Sequence, residues 1–337
     1  MWPVKMIKNI FITGGDGFIG SHLAQALVNA GHKVKTLAQY NSFNSTGWLA
    51  DLPESIRGEI QIVMGDVRDA SQMLEECKGM DQIMHLAALI AIPYSYVAPQ
   101  SYIDTNVSGT LNMLQAARTL DIPIIHTSTS EVYGTAQSVP ITEDHPLQGR
   151  SPYSASKIGA DQLAFSYFSS FDTPVKIVRP FNTYGPRQSM RAVIPTIITQ
   201  IVKGKRQIRL GSTSPTRDFN FIDDTVSGFI HAMERNAGFG EVINIGSGFE
   251  VSIGDTAKII AEALESNIEI IIDEQRIRPD KSEVERLLAC NRKAKELLGW
   301  YPEHTGINGF KKGIATTVAW FSRKENIVKY EANGYVI

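Results

Sequence analysis

NIFITGGDGFIGSHLAQALVNA, residues 9–30, is the stretch whose reading decides the fold. Residues 9–13 are short, apolar and partly β-branched, which suits a buried strand. Gly14-Gly15-Asp16-Gly17-Phe18-Ile19-Gly20 follows, and the spacing then predicts an amphipathic helix over about residues 21–30. Strand, glycine turn and helix in that order form a dinucleotide-binding arrangement. Gly14 permits the tight turn, Gly17 lets backbone N–H groups around Phe18 and Ile19 approach a pyrophosphate, and Gly20 lets the helix lie close to the strand.

Working outward, a second strand over residues 33–37 ends in Ala38-Gln39-Tyr40-Asn41, where a ribose-binding carboxylate belongs if the cofactor is NAD. There is neither that carboxylate to repel a 2′-phosphate nor a nearby arginine to grip one, so NAD and NADP both stand. A strand over 60–64 leads to Asp66 and Val67, candidates for the adenine end, with a surface-turn aspartate as the alternative. A strand over 82–86 leads through His85 to Leu86, Ala87 and Ala88, small enough for backbone to lie along a cofactor. His85 reads as a core histidine and Asn106, on a helix over 99–119, as structural.

The central strand, 122–127, runs into Ser128, Thr129, Ser130 and Glu131, and a helix over 153–171 carries Tyr153 and Lys157. Four residues apart, those side chains share a helix face, and an ammonium beside a phenol lowers the phenol's pKa. Tyr153 is thereby a candidate general base. After a strand over 175–178 the segments shorten, and arginines stand at expected loop positions: Arg187, Arg191, Arg217, Arg276 and Arg278. Their forks suit a diphosphate. The expectation is a doubly wound parallel α/β sheet, residues 1–180 with a returning segment near 220–245, and a smaller C-terminal α/β region, mainly 181–337, for substrate.

Over 337 residues, a formal charge of -2, 20% charged and 43% hydrophobic residues give no bias toward nucleic acid or an anionic membrane. No run approaches the ~20 apolar residues of a spanning helix. Two distant cysteines, Cys77 and Cys290, argue against a disulfide framework or a metal site and make the cytoplasm the default compartment.

With these residues in hand, the chain resembles the extended short-chain dehydrogenase/reductase family of nucleotide-sugar epimerases and dehydratases. The likeness runs from TGGDGFIG through GDV, HLAA, YSASK and RPFNTYGP to RDFNFIDD and KAKELLGW. It implies that Thr129 hydrogen-bonds the sugar O4, that Tyr153 takes its proton, and that Lys157 holds the cofactor ribose. It also places Asn182 on the substrate and Arg217 and Arg278 on its diphosphate; Ser95, Arg187 and Arg191 complete the expected substrate set. Glu131 is the natural base for the C5 proton once C4 is oxidised, which points to a 4,6-dehydratase. Dehydratases acting on dTDP-glucose have an aspartate where this chain has Ser130, and Thr-Ser-Glu also resembles UDP-glucuronate decarboxylases, whereas simple 4-epimerases lack the glutamate. The runs EVYGTA, VPITEDHPLQGRSPYSASKIGAD and RPFNTYGPRQSMRAVIPTIITQ are most similar to N-acetylglucosamine 4,6-dehydratases of legionaminic acid type pathways. The resemblance further implies a homodimer through the helices over 99–119 and 153–171. A non-catalytic cofactor-binding protein is the remaining alternative, and the intact Thr129, Glu131, Tyr153 and Lys157 set speaks against it.

Overall fold

Apolar side chains at consecutive positions, Ile10, Phe11 and Ile12 in one segment and Ile124 and Ile125 in another, are buried to 1% exposure or less. Strands covered on both faces in this way belong to a parallel sheet between helical layers. The computed structural model describes residues 7–277 and 279–330. Its strands are β1 Asn9–Thr13, β2 Lys33–Gln39, β3 Ile60–Gly65, β4 Gln82–His85, β5 Ile124–Thr127, β6 Val175–Pro180, β7 Asn182–Tyr184, β8 Gln207–Leu210, β9 Thr216–Phe221, β10 Val242–Ile245, β11 Glu250–Ser252 and β12 Glu269–Ile272.

Seven of them form a parallel sheet in the order β10-β6-β5-β4-β1-β2-β3. The fold is Rossmann-like. Strand order reverses between β1 and β4, whose last residues, Thr13 and His85, are direct partners, and ligands of such sheets bind in the crevice beyond that point. Beyond β6 the chain makes β7, β8 and β9, then returns. The helix Ile222–Glu234 packs on the glycine-turn helix, and β10 lies parallel to β6. The other named strands form two small sheets, β11-β9-β7 and β12-β8.

Several boundaries differ from the sequence reading for local reasons. The first helix, Phe18–Asn29, starts earlier because Gly17, in extended backbone, takes the cap position. The central strand is shorter: the Ile122 N–H donates to Ala117 O at 2.9 Å, closing the preceding helix, and Pro123 has no N–H to give. Residues 99–120 are helical throughout but widen into a π turn over Ile103–Ser108. Inside that turn Asn106 is buried. Its amide donates to Leu89 O and Ser156 Oγ, both at 2.9 Å, and its oxygen accepts from Leu89 N at 2.8 Å, so it ties the chain after β4 to the next helix.

Candidate active site

The Ser128 N–H donates to Val178 O at 2.7 Å, which keeps the chain in line with the sheet for one residue past β5. Thr129 then stays extended and its Oγ1 accepts from Glu131 N at 3.3 Å, capping a 3-10 turn over Ser130–Tyr133. Across from it, a capping box fixes the start of the helix Pro152–Phe171. Ser151 Oγ accepts from Ser154 N at 3.1 Å, Ser154 Oγ accepts from Ser151 N at 3.0 Å, and Pro152 occupies the first helical position. Tyr153 therefore sits in a rigid first turn, where Thr129 is near enough to influence its phenol. Lys157 is one turn further on the same helix, and both side chains are buried.

The electrostatics correct one expectation. Burial is the largest influence on the Tyr153 phenol and raises its pKa above the ordinary 10.0; the Thr129 side chain opposes this and the Glu131 charge adds to it. Burial also pulls Lys157 from 10.5 down to about 8, with Asp161 acting the other way. Proximity of Lys157 does not by itself bring the phenol toward neutrality, because desolvation penalises phenolate and ammonium alike. Glu131 is close enough for its charge to be felt at Tyr153, and Ser130 is buried beside it.

The glycine turn fits a dinucleotide. Gly14 has φ +71°, and a Cβ there would lie 2.9 Å from the Ala87 backbone. At Gly20 a Cβ would lie 2.1 Å from Gly14 O. No side chain caps the helix Phe18–Asn29, so its first N–H groups are left for an anion. A cavity of about 560 Å³ opens there, lined by Gly17, Phe18, Ile90 and Arg187 among others. Leu86 and Ala87 N–H groups donate to Thr13 Oγ1 at 3.2 and 3.1 Å, which shapes the turn leading to Ala88. His85 is a neutral core residue between Thr13 and Thr110, its pKa well below the usual 6.5 through burial. Asp66 lines an open groove, but Arg68 Nε reaches its Oδ1 at 2.9 Å, and the adjoining Val67 is buried against Gly109. At the end of β2 a carboxylate does stand, supplied by the glycine turn: Asp16 Oδ2 accepts from Gln39 N at 3.2 Å.

The expected substrate residues divide. Asn182 begins β7 with its Oδ1 buried and without a hydrogen-bond partner among the described residues, an acceptor left for a ligand. Arg217 lies in β9, not in a loop; it is buried, with Nη1 on Thr216 O at 2.9 Å and Nη2 3.4 Å from Glu283 Oε1. The charge of Arg191 is felt at the Tyr102 phenol, which packs edge-on against Tyr153. Arg187 is placed elsewhere, against the glycine-turn helix, donating to Ser21 Oγ at 3.1 Å and Gln25 Oε1 at 2.6 Å. Ser95 is fully buried and spends its hydroxyl proton on Ile92 O at 2.6 Å. Arg276 pairs with Asp273, and Arg278 lies outside the described residues.

Sequence reasoning missed a buried polar chain below the site. Asp161, one turn beyond Lys157, meets Arg179, Ser128 and His126, and Arg179 continues to Tyr133 at 2.9 Å and thence to Asn244 at 2.7 Å. The repeated four-residue spacing of Tyr153, Lys157 and Asp161 was the available signal. Among the described residues no group of three or more His, Cys, Asp or Glu is placed to hold a metal, and no helix is long and apolar enough to cross a membrane.

Comparison with known proteins identifies the family. The model of the GDP-mannose 4,6 dehydratase family matches residues 11–314. The low-salt glycan biosynthesis protein Agl12 of Haloferax volcanii is 33% identical over 93% of this chain and 98% of its own. A UDP-N-acetyl-alpha-D-glucosaminuronate decarboxylase of Bacillus cytotoxicus is 33% identical over 95% of this chain and all (100%) of its own. The dTDP-glucose 4,6-dehydratase of Streptomyces venezuelae, solved with NAD bound, superposes with a TM-score of 0.84 at 30% identity, covering 96% of this chain and 99% of that one. The chain belongs to the extended short-chain dehydrogenase/reductase family of NAD-dependent nucleotide-sugar epimerases and dehydratases.

Proposed function

We propose that the protein is a nucleotide-sugar 4,6-dehydratase that converts a UDP- or GDP-linked N-acetylglucosamine to its 4-keto-6-deoxy product. The observation that carries this reading is Glu131, whose backbone N–H is held by the Thr129 cap and whose carboxylate charge is felt at Tyr153. Thr129 orients the sugar O4 and Tyr153 removes its proton. The nicotinamide, when bound, supplies the oxidation at C4 and the matching reduction at C6. Glu131 takes the C5 proton, made acidic by the new ketone, and Ser130 or a water it positions protonates the departing C6 hydroxyl. The orphaned Asn182 oxygen and Arg217 face the nucleotide part of the substrate in this reading.

We take the cofactor as NAD, since Asp16 puts a carboxylate at the end of β2 that a 2′-phosphate would have to approach. Ile103 and Phe165, exposed on two helical segments packed side by side, suit a homodimer. Free Cys77 and Cys290 suit the cytoplasm. Decarboxylation of a UDP-linked uronate is the second reading, favoured by Ser130 and by the decarboxylase relative.

The deciding experiment incubates the enzyme with UDP-, GDP- and dTDP-linked glucose and N-acetylglucosamine, plus UDP-glucuronate, in deuterated water, with mass spectrometry of the products. Loss of one water with gain of one deuterium supports the dehydratase. Loss of carbon dioxide from the glucuronate alone overturns it in favour of the decarboxylase.

A further inference from the structure

Asp161 has more partners than packing requires. Its side chain is 1% exposed and its Oδ2 accepts from Ser128 Oγ at 2.7 Å, from Arg179 Nη2 at 2.8 Å and from Arg179 Nε at 3.1 Å. His126 Nε2 lies 3.1 Å from Oδ1. The carboxylate is thus fixed from β5 and β6 while standing on the helix that carries Tyr153 and Lys157. A buried ion pair contributes little stability over an apolar replacement, so fold stability alone does not explain this arrangement.

Lys157 supplies the missing half. The ionisable groups around it are Tyr153 and Asp161 on its own helix, His85 from β4, His126 from β5, Arg179 from β6 behind Asp161, and Glu131 beyond Tyr153. Both histidines are buried and held neutral, with pKa values below their usual 6.5. Asp161 is therefore the anion on the sheet side of Lys157, and its two-point grip on Arg179 keeps it ionised and immobile.

We propose that Asp161 is a positioning residue that holds Lys157 as an ammonium beside Tyr153 throughout the working pH range. The inference rests on Tyr153 and Lys157 forming the C4-oxidising centre, the step that dehydratase, decarboxylase and epimerase share.

Removing a fixed negative charge makes every neighbouring proton easier to lose. Both limbs of the pH–rate bell for C4 oxidation, the step that the coupled Tyr153–Lys157 pair carries, must then move toward acid. Asp161→Asn should shift the alkaline limb down by about one pH unit, a roughly tenfold loss of turnover on that side, while KM stays near its wild-type value. Asp161→Glu keeps the charge and should return the limbs toward wild type. Arg179→Gln takes a positive charge from the far side of the same carboxylate, and its limbs should move toward alkali. A purely structural Asp161 predicts lower amplitude with limbs in place, and that outcome in folded Asp161→Asn, checked by circular dichroism, overturns the proposal. If the variants do not fold, the wild type still decides, because an alkaline limb at or below about pH 7 would mean a neutral Lys157 at work and would refute the role. Should no nucleotide sugar turn over, the functional reading fails separately. The phenolate absorbance of NAD-loaded enzyme, taken as wild type minus Tyr153→Phe, then reports whether Asp161→Asn shifts the titration to lower pH.

Discussion

At the scale of single residues, the proposed mechanism separates two jobs that one side chain cannot do together. In it Tyr153, beside Thr129, serves the O4 proton and Glu131 serves the C5 proton. Tyr153→Phe should abolish C4 oxidation, seen as no transient reduced cofactor in stopped flow. Glu131→Gln should leave that transient in place and cut product formation by about 10²–10⁴, the usual worth of a positioned base. A glutamine variant that still makes the 4-keto-6-deoxy sugar at the wild-type rate would remove Glu131 from the mechanism. The placement of Tyr153, Lys157 and Thr129 was legible in the sequence because helical spacing and a strand end position them without long-range information. Asp161 was not, since its meaning depends on Arg179 and Ser128, which approach it only when β5 and β6 pair. The contacts of Arg187 were hidden for the same reason: it rests on Ser21 and Gln25, 166 and 162 positions away.

Among elements, two helix starts govern the chemistry. The Ser151–Ser154 capping box aims the catalytic helix, and Ser151→Ala should cost about 1 kcal/mol, read as a lower melting temperature with the active-site residues unchanged. At the other start, an added methyl at Gly20 would meet Gly14 O at 2.1 Å and must push the first helix off β1. Gly20→Ala should weaken dinucleotide binding at least tenfold by calorimetry, about 1.4 kcal/mol, through displacement of the helix N-terminus. Normal cofactor affinity in that variant would mean that the helix N-terminus is not where the pyrophosphate binds. The parallel sheet was legible from strands alternating with helices, whereas its strand order came only from the pairing. The π turn at Ile103–Ser108 was not, because it exists to let Asn106 reach both Leu89 and Ser156, contacts invisible to local periodicity.

For the whole molecule, acid is the expected weak point. Burial lowers His126 from 6.5 to about 4 and His22 from 6.5 to about 3, so both stay neutral when folded yet take a proton when unfolded. At these histidines the unfolded chain binds more protons below about pH 6.5, which lowers stability as pH drops from there toward 4, by on the order of 3 kcal/mol for His126 alone, while Asp218, raised by burial to about 6, works in the opposite direction. Melting temperatures measured across that window should decline, and His126→Gln should flatten the decline; a flat wild-type profile would contradict the burial argument. The return of the chain to place β10 beside β6 has a consequence for biosynthesis. A ribosome that has delivered only the first 180 residues leaves β6 as a bare outer strand, open to pairing with any neighbouring nascent chain. β6 gains its partner only once residues 242–245 emerge, and β10 then takes over as the outer strand, so between those two points of translation the growing sheet presents a different edge from the finished one.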